Sequence, residues 1–327
     1  MIIKRDRAHS PWDSLPSGRP VADADEQAVR DFVELGLQAG RMSDEFTNAS
    51  DVLTRLGMIA PDGTLTNAAA VAFCKAPSAY PRMKLGLLAG NDKLDILDLR
   101  QEFLPLIPLL KRAELFVVSN IRRKFVFGEP GMQRREVPEI PREAVREAIA
   151  NAVIHREYGD RFCGQSIAVD VFDDRIEVTN PGGLYGGKTR ENLFDGSSRC
   201  RNATLVKLMS LVPLPDGAGS PAEGNGSGIP MMLDAMRAHG LAEPLFCPGF
   251  DRFKVVLYRA KVEQIDHGGD LIVAALKRNG ELGTRELAEC TGLTVSQVRV
   301  RVNALIAWGE LEPTASATSR NRKYRLT

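Results

Sequence analysis

The chain has 327 residues, 43% of them hydrophobic and 26% charged, which fits a globular protein of two or three domains and excludes a long disordered tail or a collagen-like rod. Lys plus Arg number 43 against 42 Asp plus Glu, so a formal net charge of +1 gives no whole-chain attraction to nucleic acid or to an anionic membrane. Cys74, Cys163, Cys200, Cys247 and Cys290 lie far apart, without the clustered spacing of a zinc site or a disulfide framework, and read as reduced thiols of a cytoplasmic protein.

The first residues, MIIKRDRAHSPW, lack the apolar core of a secretory signal, and stretches such as Ala68 to Cys74 fall short of the ~18–20 apolar residues a membrane helix needs. No membrane partner is expected. Residues 1–47 read as a Pro/Gly/Asp-containing lead-in and a helix, EQAVRDFVELGLQAG, that stops at Gly40. Residues 48–136 read as a small α+β module: two short helices, in NASDVLTRLG and LTNAAAVAFCKAP, flank the turn PDG and precede the apolar strand MKLGLLAG. Residues 137–260 hold most of the candidate chemistry, and residues 261–327 form a last, helical segment.

In the helix PREAVREAIANAVIHREY, Ala144, Val145, Ala148, Ile149, Ala152 and Val153 make one apolar stripe that should face a core. A second stripe at spacing four, Glu143, Glu147, Asn151 and His155, sets carboxylates, an amide and an imidazole on successive turns; taken alone, it reads first as a solvated face. His155 has two readings, a ligand contact or a hydrogen-bonded packing residue. Downstream, SIAVDVFDD and RIEVTN alternate about a tight turn and predict a β-hairpin that runs into PGGLYGG. Glycines directly after a strand let backbone amides approach a ligand, and Asn180 at the strand end can present an amide to a base edge. The second glycine-rich turn, GNGSGI, leads into the helix PMMLDAMRAHG, whose unpaired amino-terminal N–H groups favour an anion.

Gly182 to Thr189, GGLYGGKT, also satisfies the pattern of a P-loop. A P-loop enzyme needs a later apolar strand ending in an acidic magnesium ligand, whereas LVKLMSLVPLPD is proline-broken and reads first as a helix. The P-loop reading is therefore set aside, and Lys188 with it.

The ordered motifs REAIANAVIHREY, DDRIEVTNPGGLYGG, SSRCRNATL and EGNGSGIPMM resemble the ATP-binding domain of RecG-related, Schlafen-associated bacterial regulators, a divergent branch of the GHKL ATPases. The resemblance runs from about Pro11 to Tyr258 and implies a two-layer α/β sandwich within an α/β (α+β) protein. It implies ATP and Mg2+ as cofactors, Glu147 as the carboxylate that activates water, and Asn151 as the magnesium-binding amide. It places Asn180 where the adenine-reading aspartate stands in GHKL enzymes, though an amide lacks that charge. Gly182 and Gly183 correspond to the first glycine box, and Gly226, Ser227 and Gly228 to the second. His155, Arg201 and Asn202 would complete the nucleotide site, the last two within a lid from Leu184 to Glu223. Nothing in the chain supplies paired helicase motor domains.

The carboxy-terminal segment reads as helix DLIVAALKRNG, helix TRELAECTG, a turn at Leu293, helix SQVRVRVNALIAWG and two short strands around a polar loop. This layout resembles the winged helices of bacterial transcription regulators. Residues 285–327 carry seven Arg/Lys against four acids. Ser296, Gln297 and Arg299, near the start of the third helix, are expected at base edges of double-stranded DNA, with Arg320, Arg322, Lys323 and Arg325 on its phosphates. The sequence thus predicts an ATP-binding transcriptional regulator acting as a homodimer, or else an ATPase whose winged helix only docks a partner.

Overall fold

The computed structural model describes residues 12–42, 46–76, 78, 82–90, 93–126, 135–189, 192–197, 199–213, 226–259, 268–307, 309–316, 319 and 321–327. Three helices come first, α1 (Glu26–Gln38), α2 (Ala49–Arg55) and α3 (Asn67–Phe73). Each opens on a side-chain cap: Asp25, Asn48 and Thr66 accept from the N–H three residues on, satisfying donors that the first turn leaves unpaired. Then follow β1 (Met83–Leu88), β2 (Ile96–Glu102), α4 (Leu106–Asn120), the hairpin β3 (Arg123–Val126) and β4 (Arg135–Pro138), and α5 (Arg142–Ile154). Strands β5 (Ile167–Val171) and β6 (Arg175–Pro181), helices α6 (Ala203–Ser210) and α7 (Gly228–Ala238), and strands β7 (Leu245–Pro248) and β8 (Arg252–Tyr258) complete the body.

One six-stranded sheet, in the order β2-β1-β5-β6-β8-β7, organises the body. Among the described strands only the β1–β5 pair is parallel, with Met83 opposite Ile167 and Leu87 opposite Val171. This pairing corrects the expected break at residue 137. Strands from both sides of that position share one sheet, and a single apolar core extends from Ala24 to Leu257. Side chains alternate as the pleat requires: Ile176 and Val178 of β6, with Val255 and Leu257 of β8, face the helices, while Arg175, Glu177, Lys254 and Val256 occupy alternate positions.

Helix α5 lies in the helical layer between α4 and α7, against β5, β6 and β8. Its predicted apolar stripe is buried, and so are Arg146, Glu147 and Ala150 on its other sides. The solvated-face reading therefore fails for Glu147, which is 7% exposed, while Glu143 remains in solvent.

The carboxy-terminal region has its own small core. It contains α8 (Gly268–Asn279), β9 (Leu282–Gly283), α9 (Thr284–Thr291), α10 (Val295–Ala307), β10 (Leu311–Pro313) and β11 (Lys323–Leu326), with the strands paired as β10-β11-β9. Leu287, Val298, Val302 and Tyr324 fill that core. Among the described residues no helix is long and apolar enough to cross a membrane.

Candidate functional site

Helix α5, the end of β6, the loop after it and the start of α7 enclose a cavity of about 290 Å3. That volume is near the lower end of small-ligand sites. Asn151 and His155 reach it from α5, Asn180 and Gly183 from the end of β6, and Gly226 and Gly228 from the second glycine turn. These six positions span 78 residues of sequence, from 151 to 228, and the topology of the sheet brings them to one place. Val178, Met232, Phe246, Phe253 and Val255 supply an apolar wall. Phe246 packs edge-on to Phe194 at a centroid distance of 5.7 Å.

Both glycine turns are fixed by close backbone approach. Gly182 has φ +102°, a region that L side chains rarely adopt, and its N–H donates to the Asp251 carbonyl at 2.8 Å. A Cβ on Gly183 would come within 2.6 Å of the Gly249 carbonyl oxygen. At the second turn, a Cβ on Gly228 would overlap the Glu147 carboxylate and lie 2.9 Å from Asn151 Nδ2. Glycine is required here because α7 sits directly on the polar face of α5.

Glu147 itself does not line the cavity. Its Oε1 accepts a hydrogen bond from Asn151 Nδ2 at 2.9 Å, behind the Gly228 backbone. This pair presents hard oxygen donors of the kind Mg2+ prefers. Among the described residues no group of three or more His, Cys, Asp and Glu could hold a metal. A magnesium ion here would have to take most of its ligands from phosphate and water.

His155, at the C-terminal end of α5, faces the cavity. Burial, with a smaller contribution from the Arg201 guanidinium, pushes its imidazole down to about 4, so it is neutral at pH 7 and has a nitrogen free to accept. Asn180 is 5% exposed, and its Nδ2 makes only a long contact, 3.4 Å, to the Pro181 carbonyl.

Arg201 and Asn202 have different roles from those expected. Arg201 pairs with Glu157, donates to the Gly183 carbonyl at 2.9 Å and lies over the Tyr185 ring, bracing the first glycine turn from outside the cavity. Asn202 is 1% exposed and donates from Nδ2 to the carbonyls of Ile154 and Arg156, at 2.7 and 2.8 Å. It closes the end of α5, whose last carbonyls have no helical partner. Gly182 and Ser227 also lie outside the lining, Gly182 against Glu157 and Ser227 as the residue preceding α7.

Lys188, set aside with the P-loop reading, does line the cavity. Its side chain is 11% exposed; Nζ binds Asp195 Oδ1 at 2.6 Å and donates to the Asn192 carbonyl at 3.1 Å. The hydrogen bond from Lys188 holds the Asp195 carboxyl down to about 2. The sequence signal for Lys188 was the GGLYGGKT string itself.

In the carboxy-terminal region, Gln297 is 8% exposed and ties the start of α10: its Oε1 accepts from the Thr294 N–H at 2.6 Å. It is a helix-capping residue rather than a projecting one. Arg299 is exposed and lines a wide cleft, about 1520 Å3, between this region and the sheet. Arg322 lies over Tyr324, Lys323 faces Glu286 at 3.7 Å, and Arg325 pairs with Glu312 at 2.6 Å and Glu281 at 3.4 Å. Arg320 and the side chain of Ser296 lie outside the described residues. On the outer face of α10, Val300 packs against Ala242, Val256 and Tyr258 of the body, and the Asn303 side chain hydrogen-bonds the Tyr258 hydroxyl.

Residues 164–257 match a family model described as "Putative ATP-dependent DNA helicase recG C-terminal". That span contains β5 to β8, both glycine turns, α6 and α7, but not α5. No curated protein matches the chain. Among solved structures, the DIP2311 protein from Corynebacterium diphtheriae is similar, with a TM-score of 0.61 and 19% identity. The alignment covers 99% of this chain and 65% of that one, so the present chain spans about two thirds of its structural relative.

Proposed function

We propose that this protein binds ATP with Mg2+ in the cavity between α5 and α7, and that the nucleotide governs a carboxy-terminal winged helix that engages double-stranded DNA. One observation carries the nucleotide reading: Asn151, His155, Asn180, Gly183, Gly226 and Gly228, taken from separate segments, converge on one cavity. The apolar wall of Phe246, Phe253 and Val255 suits a base, and Asn180 offers that base an amide. The amino-terminal end of α7 suits the phosphate chain, because its N–H groups and dipole favour negative charge. Asn151 and, after release of their mutual hydrogen bond, Glu147 would hold the magnesium ion, which neutralises charge on the phosphates. The match of residues 164–257 to a RecG-related ATPase-like family supports the same reading.

The order helix, strand, helix, helix, strand, strand in residues 268–326 supports the winged-helix assignment. A cytoplasmic regulator that pairs two such modules on DNA as a homodimer agrees with both halves of the proposal. Photolabelling with 8-azido-ATP followed by peptide mapping tests the site. Label on peptides from 178–199 and 226–237 is expected; label confined to other segments contradicts it.

The packing of Val300 on Val256 and Tyr258 favours a second reading, in which α10 serves protein docking and the body is an ATPase with Glu147 as general base. Under that reading Glu147→Gln abolishes phosphate release while ATP binding persists, and no DNA is retained at any nucleotide concentration.

A further inference from the structure

Among the described residues the cavity lining carries three cations, Lys188, Arg199 and Arg237, and one carboxylate, Asp234. Asp234 is engaged by Arg237 at 3.0 Å, and Arg237 also reaches Glu243 at 3.1 Å. Arg237 is thereby matched, whereas Asp195, the counter-ion of Lys188, is outside the lining and at the surface; a cavity-facing ammonium paired in this way suits an anionic occupant. Lys188 is nearly enclosed and forms the hub of its loop: Nζ binds Asp195 and the Asn192 carbonyl, and Asp195 Oδ1 also accepts from the Ser197 N–H at 2.8 Å. That loop leans on the second glycine turn. Gly226 has φ +72°, and a Cβ there would overlap the Gly196 carbonyl and crowd Ser197. The Lys188–Asp195 pair is therefore built onto the turn that opens α7.

We infer that Lys188 is the phosphate-binding cation of this site and that Asp195 is its resident counter-ion, exchanged for nucleotide phosphate on binding. The inference rests on the nucleotide reading above and deepens it. Two features make the exchange favourable. Asp195 lies at the surface, so its carboxylate returns to water at little cost, whereas the Lys188 ammonium stays in the cavity and needs a partner. A phosphate chain supplies more negative charge than one carboxylate, and charge-assisted bonds to it are the stronger kind.

The same physics sets a selectivity. Lys188 should discriminate by phosphate content and not by base, because the base meets the apolar wall and Asn180. The test is calorimetry on the full chain with Mg-ATP, ADP and adenosine, comparing the parent with Lys188→Met and Asp195→Asn. The expected result is a loss of roughly tenfold or more in ATP affinity for Lys188→Met, the scale of one hydrogen bond to a charged group, with adenosine affinity unchanged. Asp195→Asn should hold or improve ATP affinity, since the competing carboxylate is gone. Equal ATP affinity in the parent and Lys188→Met, or equal losses for ATP and adenosine, overturns the assignment of Lys188 while the nucleotide site stands. If the parent binds no nucleotide, the nucleotide reading falls and this assignment with it. Circular dichroism and melting curves accompany each variant. If Lys188→Met does not fold, Lys188→Gln and the ATP response of Asp195→Asn decide the matter, and a tenfold loss of ATP binding in Asp195→Asn overturns the exchange.

Discussion

The Glu147 carboxylate lies against the backbone of Gly228, close enough that no side chain fits between α5 and the start of α7. One contact thus couples a buried acid on the central helix to the turn proposed to hold phosphate. Gly228→Ala must push Glu147 aside and break its 2.9 Å hydrogen bond with Asn151. Overpacking of this kind costs about 1–3 kcal/mol. We expect a lowered melting temperature together with ATP affinity reduced at least tenfold, checked by calorimetry alongside denaturation.

Asn202 gives the contrasting case. Its two hydrogen bonds close the end of α5 out of contact with solvent, and Asn202→Ala would leave the Ile154 and Arg156 carbonyls without that donor. A loss of about 1–3 kcal/mol in stability is expected. Urea denaturation should show it equally with and without nucleotide, which a direct ligand contact would not do.

His155 makes stability depend on pH. Its folded value, about 4, is below the 6.5 of the free side chain, so between these values the unfolded chain binds more protons than the folded one. Stability contributed by the neutral imidazole is complete above about 6.5 and is lost as pH falls toward 4. Thermal melts from pH 7.5 down to pH 4.5, on the order of the window just stated, should decline more steeply for the parent than for His155→Gln.

Val300 is outside the small carboxy-terminal core yet buried on the body, so Val300→Asp should undock this region without unfolding it. Small-angle scattering should then report a larger radius of gyration, and hydrogen exchange should rise in β7 and β8. Under the DNA-binding proposal an uncharged undocking change, Val300→Asn, raises DNA affinity, because α10 is no longer covered. Fluorescence anisotropy with duplex DNA reads this directly.

Local periodicity made α5, the β5–β6 hairpin and both glycine turns legible, since each is encoded by residues close in sequence. Helix α4 was missed because Pro108 interrupts its pattern, and β2 because its Ile96, Leu97 and Leu99 are exposed at a sheet edge. The parallel β1–β5 pair joins strands about 80 residues apart, and no local pattern announces it. At the site, polar residues beside a glycine motif were ambiguous. Hydrogen-bond partners show that Arg201 braces the first glycine turn and Asn202 closes the end of α5, and the cavity lining includes Lys188.

The most direct test of the central claim is Mg-dependent ATP binding by calorimetry on the full chain, with Asn151→Ala and Asn180→Ala beside it. Saturable binding is expected in the parent and weaker binding in both variants, with the magnesium requirement lost in Asn151→Ala. Absence of binding at millimolar nucleotide, or binding unchanged by both substitutions, would contradict it.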